Sequence, residues 1–206
     1  SGTAETVAAL TRADLIDARA RVLTRDRLVI GAVGDITPEA LGLLLDDLLA
    51  DLPATSAATV SDVTFDLSDG ITIVDFDTPQ ATAYFGHSGI RNDDPDFFAA
   101  FVANEIFGGS GFDSRLTQEV RVKRGLTYGI GSYLVGLDRS EIILGQAATG
   151  NARMSETIEV VRDEWWRMSD AGVTQDELDT AITYLTGAYP LRFDGNAPIA
   201  RILAGM

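Results

Sequence analysis

Two side chains seven residues apart, Arg121 and Tyr128, offer the chemistry that stands out in this chain of 206 residues. Arg121 falls in the last turn of a helix-forming stretch and Tyr128 at the start of a strand-forming one, so both can point into one cleft. A guanidinium fork and a phenol placed together suit a peptide carbonyl or a developing oxyanion, because each donates hydrogen bonds at neutral pH. The same stretch carries Arg115, Lys123 and Arg124, and such a cluster reads equally as a solvated face paired with local carboxylates. Just upstream, Phe107-Gly108-Gly109-Ser110-Gly111-Phe112 fits either a tight connection between helices or a loop that meets a ligand backbone. On the second reading Gly108, Gly109, Ser110 and Arg115 are the candidate substrate-binding residues. Amides of the same glycines can also face an anion, although the Gly-Lys-Ser/Thr entry of a phosphate-binding loop is absent.

Other chemistries are excluded by composition. There is no cysteine and a single histidine, His87. Disulfides, thiolate metal sites and cysteine nucleophiles are therefore out, and a self-contained zinc site, which takes three protein ligands with imidazole prominent among them, is not expected. His87 lies near the end of an apolar strand and reads as structural. Trp165 and Trp166 read as one core and one interface residue, and Asp93, Asp94 and Asp96 as helix-start chemistry rather than a calcium site. Thirty-one acidic against 16 basic side chains give a net charge of -15, which repels phosphate backbones and rules against nucleic acid as a partner. No apolar run approaches the roughly 20 residues of a membrane-spanning helix. Lys123 is the only lysine, and the preference for arginine hints at a GC-rich bacterial genome; whether the protein works in periplasm or cytoplasm is not legible. Ser1-Gly2-Thr3 has no initiator Met and no signal-peptide pattern, so the start reads as that of a fragment.

The elements that must position these residues follow from periodicity and caps. Thr11 caps a helix over 12–23, with Asp14 at its third position. Leu28–Val33 reads as a buried strand. Thr37-Pro38-Glu39 starts a helix to about Asp51 with Leu41, Leu44, Leu45 and Leu48 inward. Residues 53–61, uncharged until Ser61 and rich in Pro, Ala, Thr and Ser, read as a linker. Gly70–Phe76 and Gln80–His87 read as two strands, the second alternating Ala81, Ala83 and Phe85 with Thr82 and Tyr84. Asp94-Pro95-Asp96 opens a helix that ends at Gly108-Gly109, and a second helix runs from about Ser114 to Arg124 and closes at Gly125. Tyr128–Val135 and Glu141–Ala148 make a hairpin, followed by helices over 152–170 and from Thr174, where Thr174 and Glu177 form a capping box. Strands arriving in adjacent pairs predict an α+β fold, an antiparallel sheet covered by helices.

Several of these pieces, taken in order, resemble a known family. Gly34-Asp35-Ile36-Thr37-Pro38-Glu39 after an apolar strand, Pro79-Gln80 before another, Asp94-Pro95-Asp96, Gly108-Gly109, and Ser114-Arg115-Leu116 with Arg121 and Gly125-Leu126-Thr127-Tyr128 are together similar to the M16 metallopeptidases. That family includes the pitrilysin, insulin-degrading and mitochondrial processing peptidases. The resemblance implies two similar domains facing each other across a peptide chamber. Residues 1–52 would be the closing part of the first, and 62–206 the opening two thirds of the second, the half without zinc. It implies that zinc sits on a His-x-x-Glu-His helix in a missing domain or partner subunit, since no residues here match that motif. It implies a peptide or protein substrate and a homo- or hetero-dimer with a zinc-bearing subunit. It further implies that Arg121 and Tyr128 are the family's Arg/Tyr pair, which holds substrate and stabilises the tetrahedral intermediate, in a chain inactive alone. The alternative it leaves open is a non-catalytic assembly subunit of the same fold.

Overall fold

The computed structural model describes residues 2–56, 61, 63, 70–137 and 139–206. They form two compact units, one of Ser1–Ser61 with Tyr189–Met206 and one of Asp62–Ala188. Residues 57–60 of the expected linker, and Asp138 in the expected hairpin turn, lie outside the described residues. The segment from Tyr189 onward, read from the sequence as continuing the second domain, groups with the first unit.

The first unit holds helices α1 (Ala4–Ala8), α2 (Arg12–Val22), α3 (Pro38–Leu48) and α7 (Asn196–Ala204), the first three opened by a threonine side-chain cap and the last following Gly195 without one. The Thr11 hydroxyl accepts from the Asp14 amide at 3.3 Å, the cap expected for α2, and the Asp14 carboxylate in turn takes the Thr11 amide at 2.8 Å, which completes a reciprocal box. Thr37 caps α3 through the Ala40 amide, and Pro38 occupies the first turn. Two expectations fail. The third helix ends at Leu48, and of its leucines only Leu41 and Leu45 are half-buried, while Leu44 and Leu48 are exposed. Leu28–Val33 is not a strand, because none of the described residues offers it a ladder to join. It runs instead beneath α7, so closely that a side chain at Gly31 would lie 2.2 Å from the Ala200 carbonyl oxygen.

The second unit contains the sheet. Strands β1 (Gln80–Ser88), β2 (Gly129–Leu137) and β3 (Ser140–Gly150) are antiparallel in the order β1-β3-β2, which leaves β1 and β2 as edges among the described residues. Register aligns Phe85 with Gly145 and Gly145 with Ser132 across the three strands. Alternation then puts Phe85, Ala147 and Ile130 on the face covered by helices and Tyr84, Gln146 and Gly131 on the other. At Gly145 the ring of Phe85 lies where a side chain would project, within 2.1 Å of an added Cβ. The expected strand Gly70–Phe76 joins no ladder, and Ile71, Ile73, Val74 and Phe76 are exposed. Alternation marks a chain able to pair but supplies no neighbour.

Helices α4 (Phe97–Gly108), α5 (Met154–Ala171) and α6 (Gln175–Ala188) complete this unit. Its core joins Phe107 of α4, Leu116, Val120 and Leu126, and Val160 and Val161 of α5. The stretch expected as a regular helix over 114–124 is instead a π-helix at Thr117–Val122, with the Lys123 amide reaching five residues back to Gln118 at 2.9 Å. Leu116 and Val120 are fully buried there, and Gly125 ends the turn at φ +56°, a conformation that favours glycine. None of the described helices is long and apolar enough to cross a membrane.

Arg115 opens this segment and is the most tightly held charge in the unit. Its Nε and Nη2 donate to the two carboxylate oxygens of Glu177 at 2.6 and 2.8 Å, and Nη2 also donates to the Gly172 carbonyl at 2.8 Å. Glu177 is also the N-terminal box of α6, taking the Thr174 amide at 2.8 Å. Hydrogen bonding from Arg115 in the first place, and from Thr174 as well, holds the Glu177 carboxyl down at about 2 against an ordinary 4.5. Because the folded value is depressed, this contribution to stability is complete above pH about 4.5 and is lost as pH falls toward 2.

Glu177→Gln is therefore expected to destabilise the chain by about 2 kcal/mol at pH 7, less than a fully buried pair would lose because the Glu177 side chain is 27% exposed. Urea unfolding at pH 7, 4.5 and 3 checks it: the gap between wild type and variant narrows as the pH falls. Leu116→Ala, at a site with no solvent exposure, is expected to cost about 3 kcal/mol in the same assay.

Candidate functional site

The loop after α4 is held from within. The Gly109 amide donates to the Glu105 carbonyl at 3.1 Å and the Gly111 amide to the Glu105 carboxylate at 3.2 Å. Gln118 Nε2 holds the Phe112 carbonyl at 2.8 Å, and the Ser110 hydroxyl lies 3.2 Å from the Tyr184 phenol. The amides offered to an anion in the sequence reading are thus already used, and a carboxylate stands beside them. Of the two remaining readings, these bonds describe a tight connection whose outer surface still reaches solvent.

Tyr128 is thrown outward by its neighbours. Leu126 and Thr127 are buried, and the Thr149 hydroxyl donates to the Leu126 carbonyl while the Thr127 hydroxyl donates to the Ala148 carbonyl. With the two preceding residues pinned to β3, the next side chain points away, and Tyr128 is 92% exposed. Tyr128 lines a cleft of about 260 Å³ together with Arg121, Phe112, Gly129, Gly131, Tyr133, Gly109 and Ser110.

The four cations of the 115–124 stretch separate into three kinds. Arg115 pairs with Glu177, and Lys123 and Arg124 both pair with Glu119 at 2.6 and 2.7 Å. Those two bonds hold the Glu119 carboxyl below its usual range. Arg121 instead stacks over the ring of Phe112, 5.1 Å from its centroid, and has no carboxylate partner among the described residues. The solvated-face reading thus accounts for Lys123 and Arg124, Arg115 is buried on a distant carboxylate, and Arg121 is left lining the cleft.

Of the sequence candidates, Arg121, Tyr128, Gly109 and Ser110 line one cavity. Two do not. Arg115, expected on the substrate side, is 6% exposed and occupied by Glu177 and Gly172. Gly108 is buried where α4 meets β2, and a Cβ there would lie 2.5 Å from Ser132 Oγ, a position fixed by the hydrogen bonds of Ser132 with Asn104. Sequence reasoning missed Phe112, Gly129, Gly131 and Tyr133. The period-two spacing of Gly129, Gly131 and Tyr133 carried the signal, since it places all three on one face of β2.

A second cavity of about 240 Å³ lies against the covered face of the sheet, lined by His87, Asn104, Phe107, Ile143, Trp165 and Met168 among others. His87 meets Trp165 edge-on at 5.0 Å, and Trp165 packs on the core while Trp166 is exposed. Among the described residues no three His, Cys, Asp or Glu side chains gather as metal ligands, so the residues present do not fit a zinc ion.

The family model of the peptidase M16 inactive domain matches residues 9–185. A crystal structure of the peptidase M16 inactive domain from Pseudomonas fluorescens superposes with a TM-score of 0.88 at 30% identity, over 100% of this chain and 49% of that one. A Streptomyces coelicolor protein named as an uncharacterized zinc protease is 34% identical over 54% of this chain and 24% of its own length. A Helicobacter pylori protein, named as a non-peptidase homolog, is 29% identical over 93% of this chain and 44% of its own length. The chain spans about half the length, or less, of these relatives. With a small antiparallel sheet under helices, a matching family model and a superposable inactive domain, the chain belongs to the peptidase M16 inactive-domain family.

Proposed function

We propose that this chain is the substrate-holding part of a zinc-dependent M16-type endopeptidase, inactive alone. The reading rests on one observation: Arg121 and Tyr128 line a single cleft, and Arg121 has no carboxylate partner among the described residues. In a chain of net charge -15, a cation kept out of ion pairs and stacked beside a solvent-facing phenol is free to bind an external acceptor. Arg121 holds a carbonyl of an extended polypeptide. Tyr128 donates its phenolic hydrogen to the oxygen that gains charge when the neighbouring carbonyl is attacked, an interaction worth about 2–4 kcal/mol in the transition state. Zinc is held by residues outside this chain, in another part of the protein or in a zinc-bearing partner that forms a homo- or hetero-dimer with it. Residues 1–52 correspond to the end of a first M16-like domain, 53–61 to a linker, and 62–206 to the opening of the second, although the stretch from Tyr189 groups with the first compact unit.

A second reading, a non-catalytic assembly subunit of the same fold, is favoured by the relative named as a non-peptidase homolog. In the chain reconstituted with a zinc-bearing M16 subunit, Tyr128→Phe is expected to lower kcat on a fluorogenic peptide about 100-fold with KM little changed. Arg121→Met is expected to raise KM about tenfold. Unchanged turnover by Tyr128→Phe removes the phenol from the mechanism. A stable complex that turns over no peptide with any zinc-bearing partner decides for assembly.

A further inference from the structure

The cleft contains four glycines, and three of them face a neighbour. A Cβ on Gly109 would lie 2.2 Å from the Glu105 carboxylate, one on Gly111 3.3 Å from it, and one on Gly131 3.2 Å from the Tyr133 hydroxyl. At Gly129 nothing lies within 4 Å. Gly129 and Gly131 project to the same face of β2, an edge strand among the described residues. Two other glycines of this sheet lie under aromatic rings, Gly145 under Phe85 from β1 and Gly131 under Tyr133, whereas Gly86 meets the Ile143 backbone, Gly136 meets Asn92, and Gly150, which does not line the cleft, is open like Gly129. A glycine in a strand leaves a bare patch of backbone, and a ring from a neighbouring position is the usual cover.

We propose that the bare face of Gly129 is a subsite for one aromatic side chain of a bound polypeptide. This deepens the function proposed above and rests on it. A polypeptide laid beside β2 places the residue opposite Gly129 about 5 Å away on the same face, within reach of a ring. The surroundings suit a ring. The phenol of Tyr128 and the Arg121 guanidinium belong to the same cleft, and Arg121 already accepts one aromatic face from Phe112. Backbone geometry allows the site to be closed by mutation, because Gly129 is not among the glycines held at positive φ and its Cβ would enter open space. A β-branched residue there suits a strand.

Fluorescence anisotropy with the whole chain tests the subsite, using a fluorescein-labelled ten-residue Ala/Ser peptide and the same peptide with one central Phe. Wild type is expected to bind the Phe peptide about tenfold more tightly. Gly129→Val is expected to abolish that preference, the ratio of the two affinities falling from about ten to about one. If Gly129→Val fails to match the wild-type thermal unfolding profile, Gly129→Ala is measured in its place, with the preference expected to shrink. Equal binding of both peptides by wild type overturns the subsite and leaves the cleft's wider role standing, as does a Phe preference that survives intact in the folded variant. Binding of neither peptide overturns both the subsite and the reading of the cleft on which it rests.

Discussion

The Arg115–Glu177 pair ties the first turn of the segment that carries Arg121 to the N-terminal box of α6. Three local demands meet on one carboxylate: the guanidinium of Arg115, the amide of Thr174 and the hydroxyl of Thr174. A buried guanidinium must find acceptors or become a liability, and here Glu177 and the Gly172 carbonyl supply them for Nε and Nη2, while Nη1 is buried without a hydrogen-bond partner among the described residues. Leu116 and Val120 then sink into the core between this anchor and β2, which fixes the rotation of the π-helix and the direction of Arg121. On the other side, Thr127 and Thr149 staple the chain to β3 and leave Tyr128 no direction but outward. The exposed chemistry of the cleft is thus set by buried polar contacts a few residues away.

Much of this was legible in the sequence, and the reason is local. Thr11 with Asp14 and Thr174 with Glu177 announce helix starts because both halves of each reciprocal bond lie three residues apart. The β1 pattern of Ala81, Ala83 and Phe85 inside and Thr82 and Tyr84 outside is equally short-ranged. What failed was non-local. Leu28–Val33 and Gly70–Phe76 have the composition of strands, but ladders need a neighbour and the described residues provide none. The π-helix was hidden because apolar spacing near 3.6 looks the same whether a turn closes over four residues or five. Arg115 was misplaced because its partner lies 62 positions away, and charge type alone does not say which cations are already taken.

The cleft itself shows the same division. Arg121 and Tyr128 could be singled out by type and by their place at an element boundary, whereas Phe112, Gly129 and Tyr133 matter only once β2 and the loop after α4 lie side by side. Their contribution is shape. Phe112 gives Arg121 a surface to rest on that is not a carboxylate, so the guanidinium keeps its hydrogen-bonding edge. A carboxylate in that position would have satisfied the charge and closed the site.

The ring of Phe85 occupies the space that any side chain at Gly145 would need. These two positions on adjacent strands therefore cannot drift independently. Enlarging residue 145 first requires a smaller residue at 85, and shrinking residue 85 first leaves a hole beneath the helices. A change across this pair must pass through a poorly packed intermediate, so the middle of the sheet resists gradual redesign more than its edges do.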